Sequence, residues 1–143
     1  MGRQEEITDS PNEWVAQHIR HYLETNGQAR PGMNDLLLTT RGRKSGKLRR
    51  TALVHVRDGE DRYIVAASNA GADQHPAWYL NLTANPNVTV QIGAETFPVA
   101  ARTATPEEKP RLWALMVAAV PAYQGYQEAT SRDIPVVILD RTY

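Results

Sequence analysis

The stretch LLLTTRGRKSGKLRRTALVHVRDGEDRYIVAA, residues 36–67, reads as three strands joined by two turns. Leu36–Thr40 is apolar then β-branched. Gly42 and Gly46 punctuate the basic segment that follows, Thr51–Arg57 is the second strand, and Asp58-Gly59-Glu60-Asp61 is a hairpin turn. Arg62–Ala67 returns as the third strand. Both connections are too short for a parallel crossover, so the sheet they begin is antiparallel.

Outward from this meander the pattern repeats. Val88–Ile92 and Glu95–Thr103 read as a second hairpin about Gly93, and Pro135–Asp140 as a last buried strand. Helices are expected at residues 10–26, with Ser10 as cap, Pro11 in the first turn and Gly27 as stop. Trp14, His18, Ile19, Tyr22 and Leu23 would share its inner face. A loop spans residues 28–35. A short helix covers His75–Leu82, with Pro76 in its first turn, and a helix pair follows from Thr105, broken at Pro121. Thr105-Pro106-Glu107-Glu108 has the form of a capping box. The expected architecture is α+β: an antiparallel sheet closing into a small barrel with helices packed outside. Residues 1–143 form one domain, with an N-terminal helix and linker over 1–35 and the barrel over 36–143.

Zero cysteine excludes disulfides and thiolate chemistry and is compatible with a reducing cytoplasm. No metal-ligand motif, nucleophile elbow or Gly-rich dinucleotide loop is present. The polar N-terminus MGRQEEITDS has no signal-peptide core, and Glu6 replaces the Ser or Thr of a myristoylation motif. The longest apolar run, Leu112–Val120, is nine residues, too short to span a membrane; peripheral contact stays open. The reading is thus a cytoplasmic protein, monomer or homodimer.

Net charge is zero, but residues 36–57 carry seven basic side chains and no acid, a +7 island on a −7 background. That contrast points to a local anionic partner. Two turn glycines let backbone N–H groups face an anion, and Arg forks suit phosphate or carboxylate. A solvated basic turn is the plainer alternative. The segment is not a Walker loop, since Leu48 stands where Ser or Thr is needed. Nucleic-acid binding would interleave aromatic residues, and none lie between Arg41 and Arg50. Two further segments carry candidate groups. In QHPAWYLNL, residues 74–82, a helix start offers free N–H donors beside Trp78 and Tyr79. In PAYQGYQ, residues 121–127, Tyr123 and Tyr126 share a helix face. Each reads equally as aromatic core packing.

LLLTTRGRKSGKLRRTAL, YIVAASNAGADQHPAWYLNLTANPNVTVQI and PAYQGYQEATSRDIPVVILD, in this order, resemble the deazaflavin (coenzyme F420)-dependent nitroreductase family of actinobacterial reductases. The likeness runs from about Leu36 to Asp140. It implies a split β-barrel of the FMN-binding type. It also implies a reduced F420 cofactor whose hydride passes to an electron-poor small molecule: a quinone, a nitroimidazole, or the unsaturated lactone of a coumarin or aflatoxin. Position by position, the resemblance assigns the cofactor tail to Arg43, Lys44 and Ser45, with Arg49, Arg50, Thr51, Ala52 and Leu53 as the adjoining wall. It assigns the ring to Ala66, Ala67, Ser68, Asn69, the helix start Ala77, Trp78, Tyr79, Leu80 and Asn81, and Tyr123. Ser68 and Tyr126 become the catalytic hydrogen-bonding groups, and Val54, Trp78, Val120 and Tyr123 the acceptor pocket. Val54 and Val120 replace two tyrosines of the nitroreductase, which favours a bulky planar enone lactone or quinone over a nitro compound. The proton donor is left among Tyr126, Ser68 and water. A cofactor carrier without catalysis, and a basic module for nucleic acid or other anions, are the rival readings.

Overall fold

A computed structural model describes residues 5–27 and 34–143; the expected loop over 28–35 lies outside them as far as residue 33. Chain order is β1 (Ile7–Asp9), α1 (Glu13–Glu24), β2 (Asp35–Arg41), β3 (Leu48–Val54), β4 (Val56–Arg57), β5 (Arg62–Ala66), α2 (Ala77–Ala84), β6 (Asn87–Ile92), β7 (Glu95–Thr103), α3 (Lys109–Ala119), α4 (Ala122–Glu128) and β8 (Val136–Arg141). Among the described residues the strands form one sheet in the order β1-β3-β2-β6-β7-β8-β5-β4.

That order shows how the sheet closes. β3 lies near one end and β4 at the other, yet only His55 separates them in the chain. The sheet therefore curls until its two ends share one corner. There the His55 N–H donates to the Asn34 carbonyl at 2.8 Å. The single strand expected over Thr51–Arg57 is thus two, because one stretch of chain serves both edges of the barrel. The DGED turn closes as expected, Asp58 N–H to Arg62 carbonyl at 2.9 Å.

The continuous apolar runs follow from burial on both faces. Leu36 and Leu38 point into the barrel with Tyr63, Val65, Val90, Phe97, Val99, Val137 and Leu139. Leu37 points outward to Ile19 and Tyr22 of α1. Ile64, Ala66, Val136 and Ile138 point outward to Leu112, Met116 and Tyr123 of α3 and α4. Leu82 of α2 plugs the barrel interior.

Three expectations are corrected at the N-terminus. Helix α1 starts at Glu13 and is capped by Asn12, whose side chain accepts from Val15 N–H at 3.2 Å; Ser10 and Pro11 precede it. Trp14 is 64% exposed, so it is not on the packed face. Residues 7–9 form a strand parallel to β3, with Ile7 opposite Leu48 and Asp9 opposite Arg50, so the sheet is not wholly antiparallel. No apolar alternation marks ITD; its pairing depends on β3 being available. Elsewhere the differences are small. Pro76 caps α2 from outside, and α4, expected over Ala122–Ser131, stops at Glu128. The capping box forms, with Glu108 N–H to Thr105 Oγ1 at 3.3 Å and Thr105 N–H to Glu108 Oε1 at 2.9 Å. The guanidinium of Arg102, clamped on Glu108, holds that carboxyl down to about 2.

Candidate active site

The basic stretch is mostly strand. β2 runs through Arg41 and β3 begins at Leu48, so residues 42–47 alone make the turn. Its backbone closes on itself: Gly42 N–H to Lys47 carbonyl and Gly46 N–H to Gly42 carbonyl, both 2.8 Å. Gly46 has φ +70°, which side-chain-bearing residues rarely adopt. The buried Asn81 of α2 ties this turn down. Its Oδ1 accepts from the Arg43 N–H at 3.2 Å and the Arg43 guanidinium at 3.3 Å, and its Nδ2 donates to Thr40 Oγ1 at 3.2 Å.

The seven-charge island is smaller than the sequence implied, because acids arrive from the N-terminal segment. Glu5 takes both terminal nitrogens of Arg41 at 2.7 and 2.9 Å, and Asp9 takes Nε of Arg50 at 2.6 Å. Arg57 donates instead to the carbonyls of Gly59 and Glu60. Among the described residues, Arg43, Lys44, Lys47 and Arg49 have no carboxylate partner.

Two cavities meet beside this turn. One, about 340 Å³, is walled by Arg43, Lys44, Ser45, Arg49, Arg50 and Asn81. The other, about 530 Å³, is walled by Thr51, Ala52, Leu53, Ala66, Ser68, Asn69 and Tyr123. Ser10, Pro11, Ala77 and Trp78 line both, so they form one groove, cationic at one end and largely uncharged at the other. α2 opens onto the shared wall, and the first N–H groups of a helix have no partner within it.

A tight turn floors the larger cavity. Asn69, Ala70 and Gly71 all have positive φ (46°, 53° and 80°), directly after Ser68 in a right-handed helical conformation. Such a right-to-left sequence turns successive N–H groups toward one concavity. Two non-glycine residues in the left-handed region need outside support, and Arg132 supplies it. Its guanidinium donates to the carbonyls of Ala67 (3.3 Å), Ser68 (2.8 Å) and Ala72 (2.8 Å), and lies 3.2 Å from Nδ1 of His75.

Most of the expected site residues thus converge, and several stand elsewhere. Ala67 is fully buried. Tyr79 turns its hydroxyl to Thr103 Oγ1 at 2.8 Å, and Leu80 lies outside both cavity linings. Tyr126 packs with Trp113, Val120 and Tyr123 under the helix pair, its ring 6.1 Å from that of Tyr123. Val120 lies in that same cluster, and Val54 ends β3 opposite Asp35; neither lines the groove. The sequence reading missed Ser10, Pro11, Asn12, Val15, Ala70, His75, Pro76 and Arg132. The QHP segment was a usable signal for His75. Nothing in residues 10–15, or in a lone Arg 64 positions beyond Ser68, indicated a shared wall.

The chain is similar to known proteins in sequence and in fold. A family model described as F420H(2)-dependent quinone reductase matches residues 14–141. An F420H(2)-dependent quinone reductase of Mycobacterium tuberculosis (strain ATCC 25618 / H37Rv) is 40% identical over 131 residues, 87% of each chain. A solved F420-H2 dependent reductase, FDR-A, is 42% identical, with TM-score 0.69 over 75% of this chain and 94% of its own. A structure titled as a domain-swapped dimer is 40% identical, with TM-score 0.71 over 92% of this chain and all of its own. A heme storage protein of Vibrio cholerae, 17% identical with TM-score 0.60, shares the fold alone. From the first turn of α1 to the last strand, the chain belongs to the F420H(2)-dependent quinone reductase family.

Proposed function

We propose that the protein transfers a hydride from reduced coenzyme F420 to a quinone-class acceptor bound in the same groove. The observation that carries this reading is the continuity of the groove: a cationic lip, in which Arg43, Lys44 and Arg49 have no carboxylate partner among the described residues, opens into an uncharged chamber. A cofactor with an anionic tail and a flat neutral ring needs both ends at once. Arg43, Lys44 and Arg49 would hold the phosphate and carboxylates of the tail, with Arg43 positioned by Asn81. The start of α2 and the Ser68–Ala70 turn would receive the ring and the acceptor. When bound, the reduced cofactor supplies the hydride.

The chain's own part is placement and polarity. Trp78 and Tyr123 provide flat apolar walls against which two planar molecules can stack, bringing the reacting atoms together. Donors lining the chamber stabilise the charge that develops on the acceptor. Ser68 lines the chamber and Tyr126 does not, so Ser68 is the better placed of the two donors expected from sequence. The uncharged chamber also suits the unsaturated lactone of a coumarin- or aflatoxin-type compound as a second acceptor class. We place the protein in the cytoplasm; among the described residues no helix is long and apolar enough to cross a membrane.

The test is a titration with oxidised F420 and with FMN, followed by reoxidation of reduced F420 with naphthoquinones, coumarins and nitro compounds. Tight deazaflavin binding and quinone turnover are expected. FMN binding without deazaflavin binding overturns the cofactor assignment, and binding without any turnover favours a carrier.

A further inference from the structure

His75 stands in the wall of the larger chamber, with Ser68, Trp78 and Tyr123, but belongs to none of the roles above. Its ring is held from behind. Nη1 of Arg132 lies 3.2 Å from Nδ1 of His75, and the Tyr79 ring packs against it with centroids 4.8 Å apart. Arginine has donors and no acceptor, so Nδ1 must be the accepting nitrogen. In the neutral ring the single proton then sits on Nε2, which has no partner among the described residues. The same guanidinium fixes the carbonyls of Ala67, Ser68 and Ala72, so ring and chamber floor share one support.

Resting on the quinone-reductase reading above, we propose that His75 is a neutral hydrogen-bond donor to the acceptor, and that Arg132 is its positioning residue. Hydride transfer adds two electrons and one proton to a quinone, leaving a hydroquinone monoanion. The charge gathers on one oxygen, which the Nε2–H of His75 meets; the second proton comes from water. Nε2–H stays on the ring throughout. A permanent cation on Nδ1 polarises the imidazole toward donating from Nε2, since linked hydrogen bonds strengthen one another. The other candidate side chains are less committed: Asn69 Nδ2 is spent on the Gln74 carbonyl, and a serine hydroxyl rotates freely.

The first test needs no cofactor. Two-bond 1H–15N correlation of the histidine rings in the free protein should show Nε2 protonated and Nδ1 bare at His75. Arg132→Met should give a mixture of tautomers, and Arg132→Lys, which keeps a cationic donor, should restore the single one. Adding oxidised F420 and a naphthoquinone, an unreactive pair, should move the Nε2 proton resonance. In turnover, His75→Phe should lower kcat for the quinone by about 10²-fold, the scale of one lost oxyanion donor. Its affinity for oxidised F420 should stay within about twofold. A protonated Nδ1 in the free protein overturns the proposal, as does unchanged quinone kcat in His75→Phe. A wild-type protein that binds F420 but reduces no quinone overturns the acceptor reading, and this role falls with it; an active wild type with an indifferent His75→Phe overturns this role alone.

Discussion

A Cβ placed on Gly71 would stand 3.0 Å from the carbonyl oxygen of Tyr126 and 3.1 Å from its Cα. The tight turn under the larger chamber is thus pressed against the backbone of α4. Gly71 also has φ +80°. Gly71→Ala meets both obstacles, a tight contact that the α4 backbone must give way to by a few tenths of an ångström and a left-handed conformation costing about 1–3 kcal/mol. It should lower the melting temperature and weaken oxidised F420 binding together. Thermal denaturation and a fluorescence titration check it, and an unaffected variant would show that the turn does not lean on α4.

Asp9 and Arg50 make the second test. Their pair is partly buried, with side chains 24% and 17% exposed, and it removes one cation from the cavity proposed for the cofactor tail. Asp9→Asn keeps the shape and frees the charge. Affinity should rise for F420 with long glutamate tails more than for short ones, and the gain should fade at high salt. Arg49→Ala should do the reverse, since Arg49 lines the same cavity with no carboxylate partner among the described residues. Isothermal titration with two tail lengths at two salt concentrations reads both.

His55 gives stability a pH dependence. The residue is buried at the barrel corner, edge-on to Tyr63, and its Nδ1 has no hydrogen-bond partner among the described residues. Burial pushes the imidazole below its ordinary value, outweighing the opposing pull of the Asn34 contact and Asp35 and adding to the push from Arg57. The unfolded chain therefore takes up this proton first. The contribution is fully present above about pH 6.5, where both states are neutral. It is lost as pH falls through the lowered folded value. Chemical denaturation at pH 5 and pH 7 should show a smaller difference in His55→Leu than in the wild type, and an equal difference refutes the assignment.

How far the sequence could be read depends on whether a signal is local. The meander of residues 36–67, apart from the break at His55 that splits its middle strand, the second hairpin and the capping box each carry their own turn chemistry and appear where expected. The basic turn and the start of α2 were legible for the same reason. The Asp9–Arg50 pair, the N-terminal strand and the contact of Arg132 with Ser68 are long-range matches between unremarkable residues. Trp14 failed the other way: helical spacing placed it on the inner face, yet α1 packs through Ala16, Ile19 and Tyr22. Tyr22 adds a hydroxyl that donates to the Asp35 carbonyl at 3.1 Å and accepts from Gly93 N–H at 2.9 Å, which fixes the helix's rotation. No periodicity encodes that choice.

Asn81 links fold to site. It is 5% exposed on α2, and its amide joins the helix to Thr40 on β2 and to both the backbone and the guanidinium of Arg43. Asn81→Leu would fill the same space without either polar function. A buried group stripped of its partner costs about 1–3 kcal/mol, and here Thr40 Oγ1 and the Arg43 N–H both lose one. The larger effect falls on binding, because Arg43 loses the contact that aims it at the groove. Asn81→Leu should therefore weaken F420 affinity by more than its loss of stability alone accounts for at saturating protein. Asn81→Asp should retain Arg43, since a carboxylate accepts the same two bonds, but lose the donor to Thr40 and add a negative charge beside the tail. It should bind short-tailed F420 better than long-tailed, opposite to Asp9→Asn. Parallel titrations of the three variants decide whether Asn81 acts by aiming Arg43 or only by holding α2 in place: equal losses in Asn81→Leu and Asn81→Asp, without tail-length dependence, would leave it a purely structural residue.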